Sequence, residues 1–141
     1  MKQTTMNEQI AVDTNILLYT HFDDEPLKKK TALDILDLLP LISSQVISEY
    51  MNVLQRKMKL PKKEIIDICI TNFDGCIIHT TTFETLKLSK MLINKYDFQL
   101  FDSIIVASAL ERNCKILYSE DMQNDLLVEK SMKIINPFFN I

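Results

Sequence analysis

Glycine is almost missing from this 141-residue sequence; Gly75 is the only one. That scarcity excludes a GxGxxG dinucleotide turn and a GxxxxGKS/T phosphate loop, because both need several glycines to let backbone approach phosphate. The G-x-S-x-G nucleophile elbow is excluded for the same reason. Histidine is nearly as scarce, with His21 and His79 too few for a histidine-rich zinc site, and neither is assigned a catalytic role. Cys69, Cys76 and Cys114 contain no C-x-x-C pair, and an odd count argues against a secreted disulfide framework. They read as reduced, mostly buried thiols of a cytoplasmic protein. The opening MKQTTMNEQI has no apolar h-region, and no run approaches the ~18 apolar residues of a membrane span.

What is present is ordinary in bulk. Hydrophobic residues make up 47% and charged residues 25%, with nineteen acids against sixteen lysines and arginines for a net charge of −3. Residues 1–141 are expected to form one domain, long enough to bury a core without metal or disulfide. The net charge has the wrong sign for a protein that coats nucleic acid but leaves room for a local basic groove. Chemistry must come from other side chains, and the acids are the obvious stock.

Short apolar runs alternate with amphipathic stretches. Strands are expected at Gln9–Asp13, Leu41–Ser43, Cys76–His79, Lys115–Tyr118 and, more weakly, Lys133–Ile135. Between them the pattern predicts helices over Asn15–Phe22, from Glu25-Pro26 with Leu33, Leu36 and Leu39 inward, and over Ser44–Met58 with Ser44 as N-cap. Further helices are expected over Pro61–Phe73, carrying Ile65, Ile66, Ile68 and Cys69, over Phe83–Lys95, and over Phe101–Arg112. Such alternation implies parallel βαβ units: an α/β fold with a central parallel sheet flanked by helices in three layers. In these sheets the reactive crevice lies at the carboxyl ends of the strands.

Four acids stand at informative places. Asp13 ends the first apolar strand and Asp121 closely follows the fourth, although each also suits a turn or cap. Glu49 flanks the apolar stripe Val46, Tyr50, Val53 and Leu54, where either a solvated residue or a metal ligand fits. Asp102 precedes a helix apolar nearly all round and shares a face with Ile105, Val106 and Ala109. It either caps that helix or points inward, and no neighbouring Arg or Lys offers a partner. Converging carboxylates would raise one another's pKa values, a conflict that Mg²⁺ or Mn²⁺ resolves. Such an ion can activate water and hold a phosphate oxygen, the logic of phosphodiester hydrolysis.

These segments also resemble a known family. Asp13-Thr14-Asn15 after an apolar strand resembles the opening motif of PIN-domain ribonucleases, and Ser44–Glu49 resembles the family's helix with its acid. Phe101–Ala109 resembles the third motif and Tyr118–Met122 the fourth, in the right order across essentially the whole chain. The closest likeness is to the VapC-type toxins of bacterial toxin–antitoxin pairs. The resemblance implies a Mg²⁺- or Mn²⁺-dependent endoribonuclease, a homodimer, and a cognate antitoxin protein as partner. Asp13, Glu49, Asp102 and Asp121 would bind the metal, Asn15 would orient Asp13, and Thr14 and Ser119 would line the site. Many relatives carry a glycine soon after the fourth motif, where this chain reads Met122-Gln123-Asn124-Asp125; the loop's shape and any role of Asp125 are therefore open.

RNA needs positive charge. Arg56, Lys57, Lys59, Lys62 and Lys63 form one basic stretch and Lys28-Lys29-Lys30 another, either solvated helix faces or a phosphate-contacting rim. Two other readings of the same fold stand beside the toxin: a non-catalytic adaptor for RNA or protein, and an RNA-processing nuclease outside any toxin–antitoxin pair. Haloacid-dehalogenase-like phosphatases fit worse because they need D-x-D and position 15 is Asn. Receiver domains need an Asp after the third strand, and Cys76–Thr80 has none.

Overall fold

Ile10, Ala11 and Val12 form an uninterrupted apolar run, and in the computed structural model, which describes residues 9–141, they make β1 (Ile10–Val12), buried throughout. A strand with no polar alternation belongs inside a parallel sheet, and this one lies there. Of the opening MKQTTMNEQI, residues 1–8 lie outside the described part. The chain continues as α1 (Thr14–Tyr19), α2 (Pro26–Asp37), β2 (Ile42–Ser43), α3 (Ser44–Arg56) and α4 (Lys62–Phe73). It then forms β3 (Ile78–His79), α5 (Phe83–Tyr96), α6 (Leu100–Glu111), β4 (Ile116–Tyr118), β5 (Leu127–Val128) and β6 (Met132–Ile135).

β1 pairs parallel with β4, Ala11 facing Leu117, and β4 pairs parallel with β6, Leu117 facing Ile134. β2 and β3 form a second parallel pair, which a single parallel bridge between Ala11 and Leu41 joins to β1. The expected α/β architecture with a parallel-dominated centre is therefore present. β5, antiparallel to β6, has no counterpart in the sequence reading. No helix among the described residues is long and apolar enough to cross a membrane.

Three helical details differ from expectation. The N-cap of α3 is Ser43, whose hydroxyl accepts from Val46 N at 3.1 Å, so Ser44 is already helical. In α2 the buried residues are Ala32 and Ile35, while Leu33 and Leu39 are 41% and 48% exposed. A strict three-residue spacing drifts around a helix of 3.6 residues per turn, and Leu39 lies beyond the helix end. In α4 the buried face is Ile65, Cys69 and Phe73 at i, i+4 and i+8, leaving Ile66 exposed.

α6 is buried on nearly every side from Ser103 to Ala109. Its hydroxyls stay satisfied within the helix, Ser103 Oγ donating to Leu100 O at 2.6 Å and Ser108 Oγ to Ile104 O at 2.8 Å. At its far end Glu111 meets His79 Nε2 at 3.1 Å and accepts from Thr85 Oγ1 at 2.6 Å, tying β3 and α5 to α6. The three thiols are unpaired, and burial pushes that of Cys114 up to about 12.

Scarce glycine leaves a mark on the backbone. Gly75 turns at φ +87°, but Leu39, Lys59, Asp97, Asn113, Asp125, Glu129 and Lys130 also hold positive φ without being glycine. Glu129 and Lys130 do so consecutively between β5 and β6, with Ser131 N donating to Val128 O at 3.0 Å. Such a turn prefers Asn-Gly, which is why no hairpin signal stands in the sequence. Glu129 is held in place by Lys95 at 2.7 Å and by the Tyr96 hydroxyl at 2.8 Å, whereas Lys130 is exposed. Lys130→Gly should raise stability by about 1 kcal/mol by relieving left-handed strain. A urea midpoint that rises with unchanged slope would bear this out; an unchanged or lowered midpoint would refute it.

Candidate functional site

Asp13 follows β1 directly and is 5% exposed. Its backbone N donates to Tyr118 O at 2.9 Å, extending the β1–β4 pairing and fixing where the side chain leaves the sheet. The carboxylate is the N-cap of α1: Oδ1 accepts from Thr14 N at 2.7 Å. Oδ2 accepts from Ser119 Oγ at 2.7 Å and, more loosely, from Asn15 Nδ2 at 3.4 Å. Asp13 is thus at once a helix cap and a buried acid at the end of the strand.

The other acids are reached through the same short motif. Thr14 Oγ1 donates to Glu49 Oε1 at 2.7 Å, and Asn15 Nδ2 donates to Asp121 Oδ2 at 3.1 Å. Asp102 lies in the first turn of α6, half-buried; the cap there is Gln99, so Asp102 is helical rather than capping. The four acids are near enough to act on one another. Burial raises Asp13 from the ordinary 3.8 to about 6, partly offset by the Ser119 and Thr14 hydrogen bonds and reinforced by Asp102 and Glu49. Burial also raises Asp102, with Glu49 and Asp121 adding to the effect.

Among the described residues none of these four acids is in a salt bridge with Lys, Arg or His. Asp13, Glu49 and Asp121 accept hydrogen bonds from neutral donors alone. An all-carboxylate donor set with no lysine or arginine paired to it suits a hard divalent cation. As placed, however, no three described His, Cys, Asp or Glu side chains are gathered to hold an ion. A bound cation would have to draw them together.

Several neighbours of the site carry little or no signal in the sequence. Gln45 Nε2 donates to Glu49 Oε2 at 2.9 Å, a partnership its i, i+4 spacing alone signals. Glu120 N donates to Asn15 Oδ1 at 3.2 Å, while its side chain turns away to Tyr19 and Lys28; no local pattern announces that contact. Asp125 is exposed and occupies a left-handed position at φ 67°, its N bonded to Ile134 O at 2.8 Å. It serves the turn that a glycine would otherwise make, and it is not among the charges acting on Asp13 or Asp102.

The two basic stretches separate. Lys28 pairs with Glu120, Lys29 with Asp23 and Lys30 with Asp34, so that run is largely neutralised by its own chain. Arg56, Lys57, Lys59, Lys62 and Lys63 are exposed and enter no salt bridge among the described residues.

Comparison with known proteins bears on the family and the fold. The profile of the family described as PIN domain matches residues 10–126. No curated protein matches in sequence. Among solved structures, the chain resembles Mycobacterium tuberculosis VapC20, described as a sarcin–ricin-loop-cleaving toxin, at TM-score 0.65 and 15% identity over 80% of this chain and 90% of that one. It resembles a chain of a Klebsiella pneumoniae toxin–antitoxin complex at TM-score 0.65 and 18% identity, covering 92% and 97%. A chain of VapBC2 from Rickettsia felis, bound to a promoter DNA fragment, gives TM-score 0.61 and 20% identity, covering 90% and 97%.

The raised pKa of Asp13 makes stability depend on pH in a definite direction. Its folded value, about 6, lies above its ordinary value of 3.8, so ionising it opposes folding as pH rises through that window. At ~1.4 kcal/mol per pH unit the cost reaches roughly 3 kcal/mol above pH 6. Without divalent metal, Asp13→Asn should therefore melt higher than wild type at pH 8 and lose that advantage near pH 4. A difference in melting temperature that does not grow with pH would contradict the buried, ionisable Asp13.

Proposed function

The chain belongs to the PIN domain family, and on that premise we propose that it is a Mg²⁺- or Mn²⁺-dependent endoribonuclease, the toxin of a toxin–antitoxin pair. The observation that carries this reading is the set of four carboxylates without a basic partner among the described residues, centred on buried Asp13 at the carboxyl end of β1. Such charge opposes folding and is retained at a cost that a purely structural site has no reason to bear. Asp13, Glu49, Asp102 and Asp121 would hold the cation; when bound, it supplies Lewis-acid stabilisation of the phosphoryl oxygens and activates water.

The chain's own residues prepare that position. Ser119 and the Thr14 amide fix both oxygens of Asp13, keeping its ionised form accessible at neutral pH despite burial. Thr14 and Gln45 each hold one oxygen of Glu49, setting the carboxylate's plane. Asn15 joins Asp13 to Asp121 through one amide nitrogen, linking the first and fourth motifs.

Arg56, Lys57, Lys59, Lys62 and Lys63 are proposed to meet the phosphate backbone, because they are the cations left unneutralised at the α3–α4 junction. The same reading expects a cytoplasmic homodimer whose activity is held in check by an antitoxin protein. The antitoxin partner alone draws support from the toxin–antitoxin complexes of similar fold.

The principal test is cleavage of RNA in Mg²⁺ or Mn²⁺. Asp13→Asn and Asp102→Asn should each lower the rate at least ~100-fold, as loss of a preorganised electrostatic group does. Equal cleavage by wild type and both variants would assign the activity to a contaminant or to another site. No cleavage of any RNA by wild type would favour the adaptor reading. For the toxin assignment, growth arrest on expression should be relieved by the product of the adjacent gene.

The basic rim is tested with catalytically silent Asp13→Asn protein. Lys62→Glu with Lys63→Glu should weaken single-stranded RNA binding at low salt at least ~10-fold. Because each lost contact removes ~0.7 from the slope of log affinity against log salt, the slope should also flatten by about 1.4. Unchanged affinity would remove these lysines from the interface.

A further inference from the structure

Glu120 stands between two residues that touch the candidate site, yet its own side chain does not. On one side Ser119 donates to Asp13 at 2.7 Å; on the other Asp121 accepts from Asn15 at 3.1 Å. The Glu120 amide is fixed to Asn15 Oδ1 at 3.2 Å. Its carboxylate reaches the opposite way, Oε1 accepting from the Tyr19 hydroxyl at 2.7 Å and Oε2 from Lys28 Nζ at 3.0 Å.

The lysine is itself closely held. Its ammonium lies 5.0 Å from the Tyr19 ring centroid and 5.8 Å from that of Phe138, and those rings meet edge-on at 4.7 Å. The side chains of Lys28 and Glu120 are only 20% and 25% exposed, against 75% and 64% for the solvated pair Lys30–Asp34. An ion pair screened from water and seated on aromatic faces is far more constrained than an exposed one.

We propose that Lys28, with Tyr19, is a positioning residue for the metal site, clamping the Ser119–Met122 turn through Glu120. Two effects combine. The clamp holds the backbone from which Ser119 and Asp121 approach Asp13 and Asn15. It also neutralises the one acid in that turn which points away, so that it does not become a fifth uncompensated carboxylate beside the other four. α2, which contributes no residue to the site, thereby sets the site's geometry. The inference rests on the metal-dependent reading above, since what the clamp positions is a set of cation ligands.

The test measures Mn²⁺ binding by electron paramagnetic resonance on the full chain, without RNA and well below the melting temperature. Lys28→Met should weaken Mn²⁺ binding by about 10-fold, the usual scale for losing the support of a metal ligand. Lys28→Arg, which preserves the charge, should recover most of the loss, and Lys30→Met should match wild type. A merely structural lysine would lower the melting temperature and leave Mn²⁺ affinity unchanged; that result overturns the proposal. If Lys28→Met does not fold, Tyr19→Phe keeps the ring and removes only the hydroxyl, and unchanged Mn²⁺ affinity there overturns it equally. Wild type that binds no Mn²⁺ would overturn the metal-dependent reading itself, and this inference with it.

Discussion

A carboxylate set into the end of a buried strand is the constraint around which this molecule is arranged. Asp13 follows three fully apolar residues and is nearly as inaccessible as they are. An ion there is tolerable only if donors reach it, and those donors come from both ends of the fold: Thr14 beside it and Ser119, more than a hundred residues later. The parallel pairing of β1 with β4 is what brings them together, since Val12 faces Tyr118 and the next residues of each strand leave the sheet side by side. Strand register and site electrostatics are thus one requirement.

The motif residues are economical because each satisfies more than one neighbour. Asp13 caps a helix while carrying charge. Asn15 uses its amide nitrogen on two acids and its oxygen on the backbone of Glu120. Thr14 gives its N–H to Asp13 and its hydroxyl to Glu49. None of these contacts supplies a positive charge, which leaves the acids mutually repelling and available to a cation.

Much of this is legible in the sequence because it depends on local chemistry. An apolar run ending in Asp, an inward acid on an otherwise buried helix, and alternating strand and helix patterns are visible without coordinates. What is hidden has a physical reason in each case. The β5–β6 hairpin carries Glu129-Lys130 where Asn-Gly would announce a turn, and its strain is balanced by Lys95 and Tyr96 from a distant helix. The inward face of α2 belongs to Ala32 and Ile35, because packing against its neighbours overrides a leucine spacing of three. Lys28 looks like one of three equivalent lysines, and only the fold reveals which acid it meets. Spacing announces Lys30–Asp34 as an i, i+4 pair, but Lys28–Glu120 joins residues 92 apart and only the fold brings them together.

The outermost strands have a bearing on how copies of this chain can meet. β3 and β5, which flank the bridged strand arrangement, are each two residues long, and β5 ends in a tight turn. So short an edge offers an incoming strand hardly any ladder to extend, a recognised defence against fibrous growth. Among the described residues the backbone thus offers little sequence-indifferent hydrogen bonding to a second copy, and selectivity falls to side-chain shape.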